Sequence, residues 1–355
     1  MNDMDAARLE QIISKFSECR IAVLGDFFLD KYLDTDPELA QVSVESGKTA
    51  HQVVSIRTSP GAAGTIVNNL HALDAGKIYT LGITGDDGEA YDLRKCLGRL
   101  GCGMEGLVSV PGRFTPTYLK PRNCRAADLS GEHERYDTKN RRPTPVEAQD
   151  KVLAYLESIL PRIDSVAVQD QVEAEEEEDS AVVTARVKER LAGLAVRFPD
   201  KIFWADSRAR IGAFRNVVIK VNAREAVRQV FPPGAENPDD DTVVRAMAEL
   251  RRRTRKPVFV TAGGRGIWTS DPEPVLVRGV AVPEPTDPTG AGDSATAGAV
   301  LALCAGASPR EAALVANLVA SITVQQLAVT GTAGRRELGP RLEMWRAQNE
   351  RRNTP

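Results

Sequence analysis

Residues 287–294 read Asp-Pro-Thr-Gly-Ala-Gly-Asp-Ser, after a strand-like apolar run at 275–282 and before a helix of small residues. Gly290 and Gly292 let the backbone approach a ligand closely and adopt positive φ. The unpaired N–H groups at the start of such a helix form an anion site. Asp293 adds a carboxylate to the same turn, where it is unfavourable unless it accepts a proton from an attacking hydroxyl. The stretch therefore indicates phosphoryl transfer.

Two other interpretations of this stretch stay open. Gly-Ala-Gly before a helix also occurs as a plain tight turn. Residues 290–295 match G-x-G-x-x-A, the dinucleotide fingerprint, which expects its strand to end directly before the first glycine. Here residues 283–288, Pro-Glu-Pro-Thr-Asp-Pro, lie between strand and glycine.

Outward from this stretch, short apolar runs alternate with helical patterns. The predicted strands lie at 20–25, 78–83, 165–168, 201–205, 217–221 and 257–261. The predicted helices lie at 65–73, 91–100, 146–160, 181–198, 242–252, 290–305 and 309–326. Alternation of this kind is typical of a parallel sheet covered on both faces. Segments 34–57 and 106–137 have period-2 character and predict a small secondary sheet, a lid.

Composition narrows the class of protein. The 355 residues are 42% apolar and 27% charged, with a net charge of −3, which gives no reason to expect nucleic acid as a partner. No apolar run is long enough for a membrane span, and the N-terminus lacks a signal-peptide core. Five cysteines without a C-x-x-C pair indicate reduced thiols in a cytoplasmic protein. The low count of 3 His disfavours a His-based metal site or a Ser-His-Asp hydrolase.

Residues 287–293 resemble the D-T-x-G-A-G-D signature of the ribokinase-like (PfkB) family of carbohydrate kinases, with Pro288 where Thr is common. Four other segments resemble further family motifs, in the family's order. They are Gly25–Asp30 at the end of the first strand, Pro60–Gly64 followed by 81–88, Asn222-Ala-Arg-Glu225, and Thr261–Gly266. The resemblance covers residues 20 to 335.

The resemblance implies a three-layer α/β/α sandwich with a mostly parallel sheet and a small β-sheet lid. We assign residues 1–19 to an N-terminal helix, 20–340 to the kinase domain and 341–355 to a C-terminal tail. The family also implies ATP with Mg²⁺. Asp293 then matches the catalytic base, and the N–H groups of Gly290, Ala291 and Gly292 match the anion hole.

The resemblance implies further residues on the nucleotide side. Asn222 and Glu225 match residues that organise Mg²⁺ through its waters, a donor set that suits this hard cation. Their spacing also fits a helix capping box, and one pair can do both. The implied nucleotide contacts are Thr261, Gly263, Gly266 and Asn317. Asp287 matches a position that holds a monovalent cation, K⁺, in some members.

On the sugar side, the resemblance implies contacts from the end of the first strand and from the lid. Asp30 is expected first, and two carboxylates at a strand end suit sugar hydroxyls; a solvated strand-to-lid turn is the alternative. The other implied contacts are Asp26, Gly61, Asn69, Asp170 and Arg135.

The chain most closely resembles the branch that phosphorylates heptose phosphates, on residues 25–32 and the lid segment 134–137. That branch often carries a nucleotidyltransferase domain, and the 60 or so residues after Asp293 are too few for one. Three positions depart from the family: Ala62 replaces a glycine, Thr65 replaces an asparagine, and 170–174 lack the lysine of D-Y-x-K-G. Lys120, Arg122, Arg135, Arg208 and Arg210 are either replacements for that cation or surface charges.

The sequence thus predicts an ATP-dependent carbohydrate kinase that phosphorylates a sugar or sugar-phosphate hydroxyl. The alternatives are a non-catalytic sugar- or nucleotide-binding regulator on the same fold and a dinucleotide-binding oxidoreductase. By analogy with the family, a homodimer through the lid is plausible. The sugar and the phosphorylated carbon are not determined by the sequence.

Overall fold

The computed structural model describes residues 4–126, 129–171, 179–232, 238–270, 273–327 and 329–353. Within these residues, thirteen strands form two sheets. The strands are β1 Arg20–Gly25, β2 Phe27–Val42, β3 Thr49–Ala62, β4 Lys77–Thr84, β5 Gly103–Ser109, β6 Thr117–Asn123, β7 Tyr136–Thr138, β8 Ser165–Asp170, β9 Ile202–Ser207, β10 Val218–Asn222, β11 Val258–Thr261, β12 Gly266–Ser270 and β13 Pro274–Arg278.

The larger sheet has nine strands in the order β13-β12-β11-β10-β9-β8-β1-β4-β5. Pairing is parallel from β5 to β11 and antiparallel from β11 to β13. The chain runs outward from β1 through β4 to β5 and then returns to the other side of β1 with β8. This reversal of strand order opens a crevice at the carboxyl ends of β1 and β8, where ligands bind in open α/β sheets.

Ten α-helices lie in the described part of the chain. They are α1 Ala6–Ile13, α2 Ala63–Ala72, α3 Gly88–Arg99, α4 Val146–Ile159, α5 Ala185–Arg197, α6 Ala223–Arg228, α7 Asp240–Thr254, α8 Ala291–Cys304, α9 Pro309–Thr323 and α10 Leu338–Asn353. Helices α1, α2, α3, α8, α9 and α10 contribute to one apolar core, and α4 to α7 contribute to a second. The two cores cover opposite faces of the sheet, because β1 alternates Ile21 and Val23 with Ala22 and Leu24. The predicted three-layer α/β/α sandwich is thereby confirmed.

The smaller sheet is the lid, in the order β3-β2-β6-β7. Strand β2 leaves the end of β1 after a single residue, Asp26, so the lid is joined directly to the crevice. Its strands differ from the predicted segments 34–57 and 106–137. Residues 106–109 belong to β5 of the larger sheet, where Leu107 is buried against α-helices. The sequence pattern did not mark the boundary between the two sheets, because strands of both sheets have period-2 character.

Residues 341–353, predicted as a tail, form most of α10. Leu338, Leu342 and Trp345 are buried, and Trp345 Nε1 donates to the Arg278 carbonyl at 2.8 Å. This apolar stripe at i, i+4 and i+7 is a helical signal in the sequence itself. None of the helices in the described ranges has the length and apolarity needed to cross a membrane.

Candidate active site

Helix α8 begins beneath the crevice with Gly290 as its N-cap residue, at φ +75°. A Cβ atom at Gly290 would lie 2.9 Å from Thr330 Cγ2 and 3.4 Å from Thr65 Cγ2. Both the left-handed backbone and the lack of space therefore require glycine. No side chain in the described residues caps this end of α8. The Ala291 amide donates to the Pro288 carbonyl at 3.1 Å, so the predicted anion hole is left with the amides of Gly290 and Gly292.

Asp293 lies in that first turn and keeps partial solvent access. Desolvation raises the pKa of its carboxyl to about 7, and the nearby Asp206 carboxylate adds to the increase. The cations Lys220 and Arg208 oppose it. Gln169 Nε2, at the end of β8, donates to Asp293 Oδ1 at 3.1 Å. A carboxylate with a pKa near neutral pH is suited to accept a proton and to release it again.

Two residues of this site, Lys220 and Asp206, were missed in the sequence. They form a buried ion pair on neighbouring strands β10 and β9. A Cβ atom at Gly292 would lie 2.9 Å from Lys220 Nζ, so the ammonium group lies against the first turn of α8. Burial lowers the pKa of Lys220, but the Asp206 and Asp293 carboxylates outweigh it and raise the pKa overall. The sequence did contain a signal for this ion pair, because Lys220 lies within an apolar strand and a lysine is rarely buried without a partner.

Asn222 and Glu225 form the capping box of α6. Asn222 Oδ1 accepts from the Glu225 amide at 2.9 Å, and Glu225 Oε2 accepts from the Asn222 amide at 3.0 Å. Thr261 pairs with Asn222 across β11 and β10. Burial and the Asp206 carboxylate raise the pKa of Glu225, although its own bond to the Asn222 amide opposes the shift. The Glu225 and Asp206 carboxylates interact electrostatically, and with the Asn222 side chain they are oxygen donors of the kind that fits Mg²⁺ with retained waters.

The remaining nucleotide-side residues lie at the far end of the sheet. Gly263 and Gly266 flank the β11–β12 turn at φ +58° and +117°. A Cβ atom at Gly266 would lie 2.1 Å from the Val277 carbonyl, which explains that glycine by packing. Asn317 on α9 is buried and donates its amide group to the carbonyls of Val277 and Arg278, at 2.9 and 3.1 Å. It therefore fastens α9 to β13 in this structure.

On the acceptor side, Asp30 lies on β2 of the lid and is buried. Its Oδ1 is 3.0 Å from Lys120 Nζ on the adjacent β6. A Cβ atom at Gly61 would lie 2.8 Å from Asp30 Oδ2, so the glycine makes room for this carboxylate. Asp30, Gly61 and Lys120 are thus brought together under the lid.

Asp26 and Asp170 lie deeper, at the ends of β1 and β8. Asp26 accepts from the amides of Gln171 and Val182 at 3.0 and 2.9 Å. Burial and the neighbouring Asp170 carboxylate raise its pKa to about 6. Asp170 is fully buried and forms an ion pair with Arg210 through both of its oxygens. Arg210 is 5% exposed, so it is not the surface charge that the sequence left open.

Three further predicted residues have hydrogen bonds or ring contacts of their own. Asn69 is fully buried in α2 and donates to the carbonyls of Thr65 and Gly331, at 3.1 and 3.2 Å, and its contact with the sugar stays a prediction. Arg135 pairs with Asp137 and lies 4.3 Å from the Tyr118 ring on the lid. Asp287 accepts from the Thr289 amide at 2.9 Å in the turn before α8. Residues 172–174 of the altered D-Y-x-K-G stretch lie outside the described residues.

The part of the chain that carries this arrangement is similar to a known family. Residues 204–333, which include Asp206, Lys220, the capping box and the α8 turn, match the family described as pfkB family carbohydrate kinase. The match covers less than half of the chain and includes the predicted transfer site.

Individual relatives agree with this match. The chain is 29% identical over 336 residues to the bifunctional protein HldE of Desulfatibacillum aliphaticivorans, covering 93% of this chain and 64% of that protein. It thus spans less than two thirds of the curated relatives that it matches first. A ribokinase of Arabidopsis thaliana complexed with ribose and ATP superposes with a TM-score of 0.64 at 16% identity, covering 92% of this chain and 99% of that one. Phosphofructokinase-2 of Escherichia coli in complex with fructose-6-phosphate gives 0.66 at 18%, with the same coverage. The two structures support the ribokinase-like fold.

Proposed function

We propose that the protein is an ATP-dependent kinase that transfers the γ-phosphoryl group to a hydroxyl of a sugar or sugar phosphate. One observation carries the proposal. A carboxylate with a pKa of about 7, Asp293, lies in the first turn of a helix that has no side-chain cap in the described residues, so the Gly292 amide is open to an anion. A base and an anion site in one turn serve a reaction in which a hydroxyl loses a proton while it attacks phosphorus.

In the proposed reaction, the acceptor hydroxyl gives its proton to Asp293 Oδ2, since Oδ1 holds the bond from Gln169. The hydroxyl oxygen forms a bond to the γ-phosphorus, and the bond from that phosphorus to the β,γ-bridging oxygen breaks, which leaves ADP. The amides of Gly290 and Gly292 and the Lys220 ammonium stabilise negative charge on the transferred group, while the Ala291 amide donates to the Pro288 carbonyl. Asp293 then releases its proton to solvent.

The cation sites belong to the same proposal. Glu225, Asn222 and Asp206 would hold Mg²⁺, which would neutralise phosphate charge when bound. Asp287 as a K⁺ ligand stays a prediction, which a comparison of turnover in KCl and in tetramethylammonium chloride tests.

The acceptor is expected to be a sugar phosphate of the heptose type. The support is the resemblance of residues 25–32 and 134–137 to that branch and the match to HldE proteins. Under the lid, Lys120 with Asp30 offers a cation and a carboxylate to one ligand. Arg208, which is exposed beside Gln171, offers a second cation.

The proposed homodimer would form through the lid. Its apolar side chains Val42, Val44 and Ile56 are exposed, Val44 completely. Light scattering of the wild type and of Val44→Lys tests this contact, with a dimer that becomes a monomer as the expected result. The cytoplasmic location also stays a prediction, with five free cysteines in its support.

The decisive experiment is a screen of sugars and sugar phosphates in which ADP release and phosphorylated product are both measured. Asp293→Asn is the matched control, because it keeps the volume of the side chain and removes the base. We expect turnover with at least one phosphorylated sugar and its loss in the control. ATP binding without product across the panel would favour the regulator, and binding of NAD without ATP would favour the oxidoreductase.

A further inference from the structure

Two glutamines lie between the end of β8 and the catalytic turn of α8. Gln169 and Gln171 are two residues apart on an extended segment and are 3% and 7% exposed. They therefore point to the same side of the sheet. Gln169 Nε2 lies 3.1 Å from Asp293 Oδ1 and 3.2 Å from the side-chain amide of Gln171.

Arg208 lies at the other end of this pair. When the Gln171 amide turns so that its oxygen faces Arg208, that oxygen accepts from Nε at 2.8 Å and from Nη2 at 3.0 Å. When the amide has the opposite orientation, its oxygen accepts from Gln169. One Gln171 oxygen thus serves either Arg208 or Gln169, and the hydrogen bonds of the neighbours decide which.

The orientation of the Gln171 amide also affects the hydrogen bonding of Asp293. With its oxygen on Arg208, Gln171 directs N–H groups at Gln169, which must then present its own oxygen. That oxygen also faces Asp293, and an oxygen can pair with a carboxyl only when the carboxyl is protonated. With Gln169 Nε2 towards Asp293, the carboxyl is an acceptor and is ionised. The two arrangements of the amides thus correspond to the two protonation states of the base.

We propose that Gln169 is a positioning residue of the phosphoryl-transfer site, which holds Asp293 at Oδ1 and forms with Gln171 and Arg208 a relay whose amide orientation follows the proton of the base. This inference rests on the proposed function. It assigns Oδ2 of Asp293 to the acceptor hydroxyl, because Oδ1 is occupied. It also gives a role to the segment where the D-Y-x-K-G pattern of the family is lost.

Other charged groups also face Asp293, so they must be kept in any test. They are Asp206 and Arg208 at the end of β9, Lys220 on β10 and Asp30 on β2. A substitution of Gln169 leaves all four charges in place. A change in the pH dependence would then report the lost amide and not an altered charge.

The test compares the pH profiles of kcat for the wild type and Gln169→Met, with an acceptor found in the screen. Met keeps the length of the side chain and removes its hydrogen bonds. We expect kcat to fall about tenfold or more, the acceptor KM to change less than threefold, and the acidic limb to move up by about half a pH unit or more, since the amide stabilises the ionised base. Gln169→Glu, which places a second carboxylate there, should move the limb further in the same direction.

Gln149→Met is the matched control. Gln149 is also a buried glutamine, on α4, and it donates to the Thr144 carbonyl at 2.9 Å and accepts from Thr184 Oγ1 at 2.7 Å. The Gln149→Met variant loses the same kind of hydrogen bonds at a place away from the site, so its pH profile should match that of the wild type. Melting temperatures of both variants separate a general loss of stability from the effect on the base.

Gln171→Met tests the relay separately, keeps all four charges, and carries the test if Gln169→Met does not fold. It leaves Gln169 free to keep Nε2 towards Asp293, so the acidic limb should move down, and this shift should be absent in the Gln169→Met background because both residues act through one chain of bonds. Profiles of both variants that superpose on the wild type would overturn the inference while the kinase assignment stands. Absence of turnover in the wild type would instead overturn the proposed function.

Discussion

The buried carboxylates on the two sides of the crevice have different hydrogen-bonding and ion-pair partners. On the acceptor side, Asp30 is paired with Lys120 and Asp170 with Arg210. On the transfer side, Lys220 is paired with Asp206, and Asp293 receives its hydrogen bond from the neutral amide of Gln169. A cation bound directly to a carboxylate lowers its affinity for protons. Of these four carboxylates, the proposed base Asp293 is the one whose direct side-chain partner is neutral.

The largest expected effect is on the transfer side. Asp293→Asn should lower kcat by about a thousandfold, since a positioned base contributes roughly 10²–10⁴ to the rate. ATP affinity should change little, because the amides of the α8 turn and Lys220 remain. Rapid-quench measurement of product and titration with ATP check the two parts. Turnover of Asp293→Asn within tenfold of the wild type would show that Asp293 is not the base and would remove the distinction between the two sides.

The next effect concerns stability on the acceptor side. Arg210→Met leaves the fully buried Asp170 without its cation and should lower the free energy of unfolding by about 3 kcal/mol. The double variant Asp170→Leu/Arg210→Met removes both charges and should recover most of this loss. Urea unfolding at pH 8 measures both. A single variant as stable as the wild type would show that this pair does not hold the ends of β8 and β9 together.

The pH dependence of stability sharpens the comparison further. The folded-state pKa of Asp293, about 7, lies above its ordinary value of 3.8. Between these values the folded protein binds more protons than the unfolded chain, so this residue lowers stability as pH rises towards 7. Asp293→Asn should therefore be more stable than the wild type at pH 8 by about 1 kcal/mol, a modest figure because the side chain keeps solvent access.

This gain should shrink as the pH falls from 8 to 5, since the wild-type carboxyl then takes up its proton. Denaturant curves at both values measure it. An equal difference at pH 5 and pH 8 would mean that the pKa of Asp293 is not raised.

The smallest effect is again on the acceptor side. Asp30→Asn should raise the acceptor KM about tenfold and leave the KM for ATP unchanged, because one hydrogen bond to a charged group is lost. Gly61→Ala, whose Cβ would lie 2.8 Å from Asp30 Oδ2, should act in the same direction by displacing that carboxylate. A fall in kcat without a change in acceptor KM would indicate that Asp30 acts in phosphoryl transfer and not in acceptor binding.

Much of the transfer side was readable from single segments. The α8 turn and the capping box of α6 depend on residues within four positions of each other, and local spacing predicts such contacts. Lys220 and Asp206 were missed because their pairing needs the register of β10 against β9. On the acceptor side, the sequence predicted Asn69 at the sugar but did not predict its complete burial in α2.

The sequence by itself determined the alternation of strands and helices, the glycine turn at 290–292 that begins α8 and the carboxylate beside it. Each of these depends on backbone properties of a few consecutive residues. Only the tertiary structure decided which carboxylates are paired. Asp170 meets Arg210 across 40 positions, and Gln169 meets Asp293 across 124. Proton affinity depends on burial and on charges brought close by folding, so the identity of the base as a neutral-pH acceptor is a property of the fold.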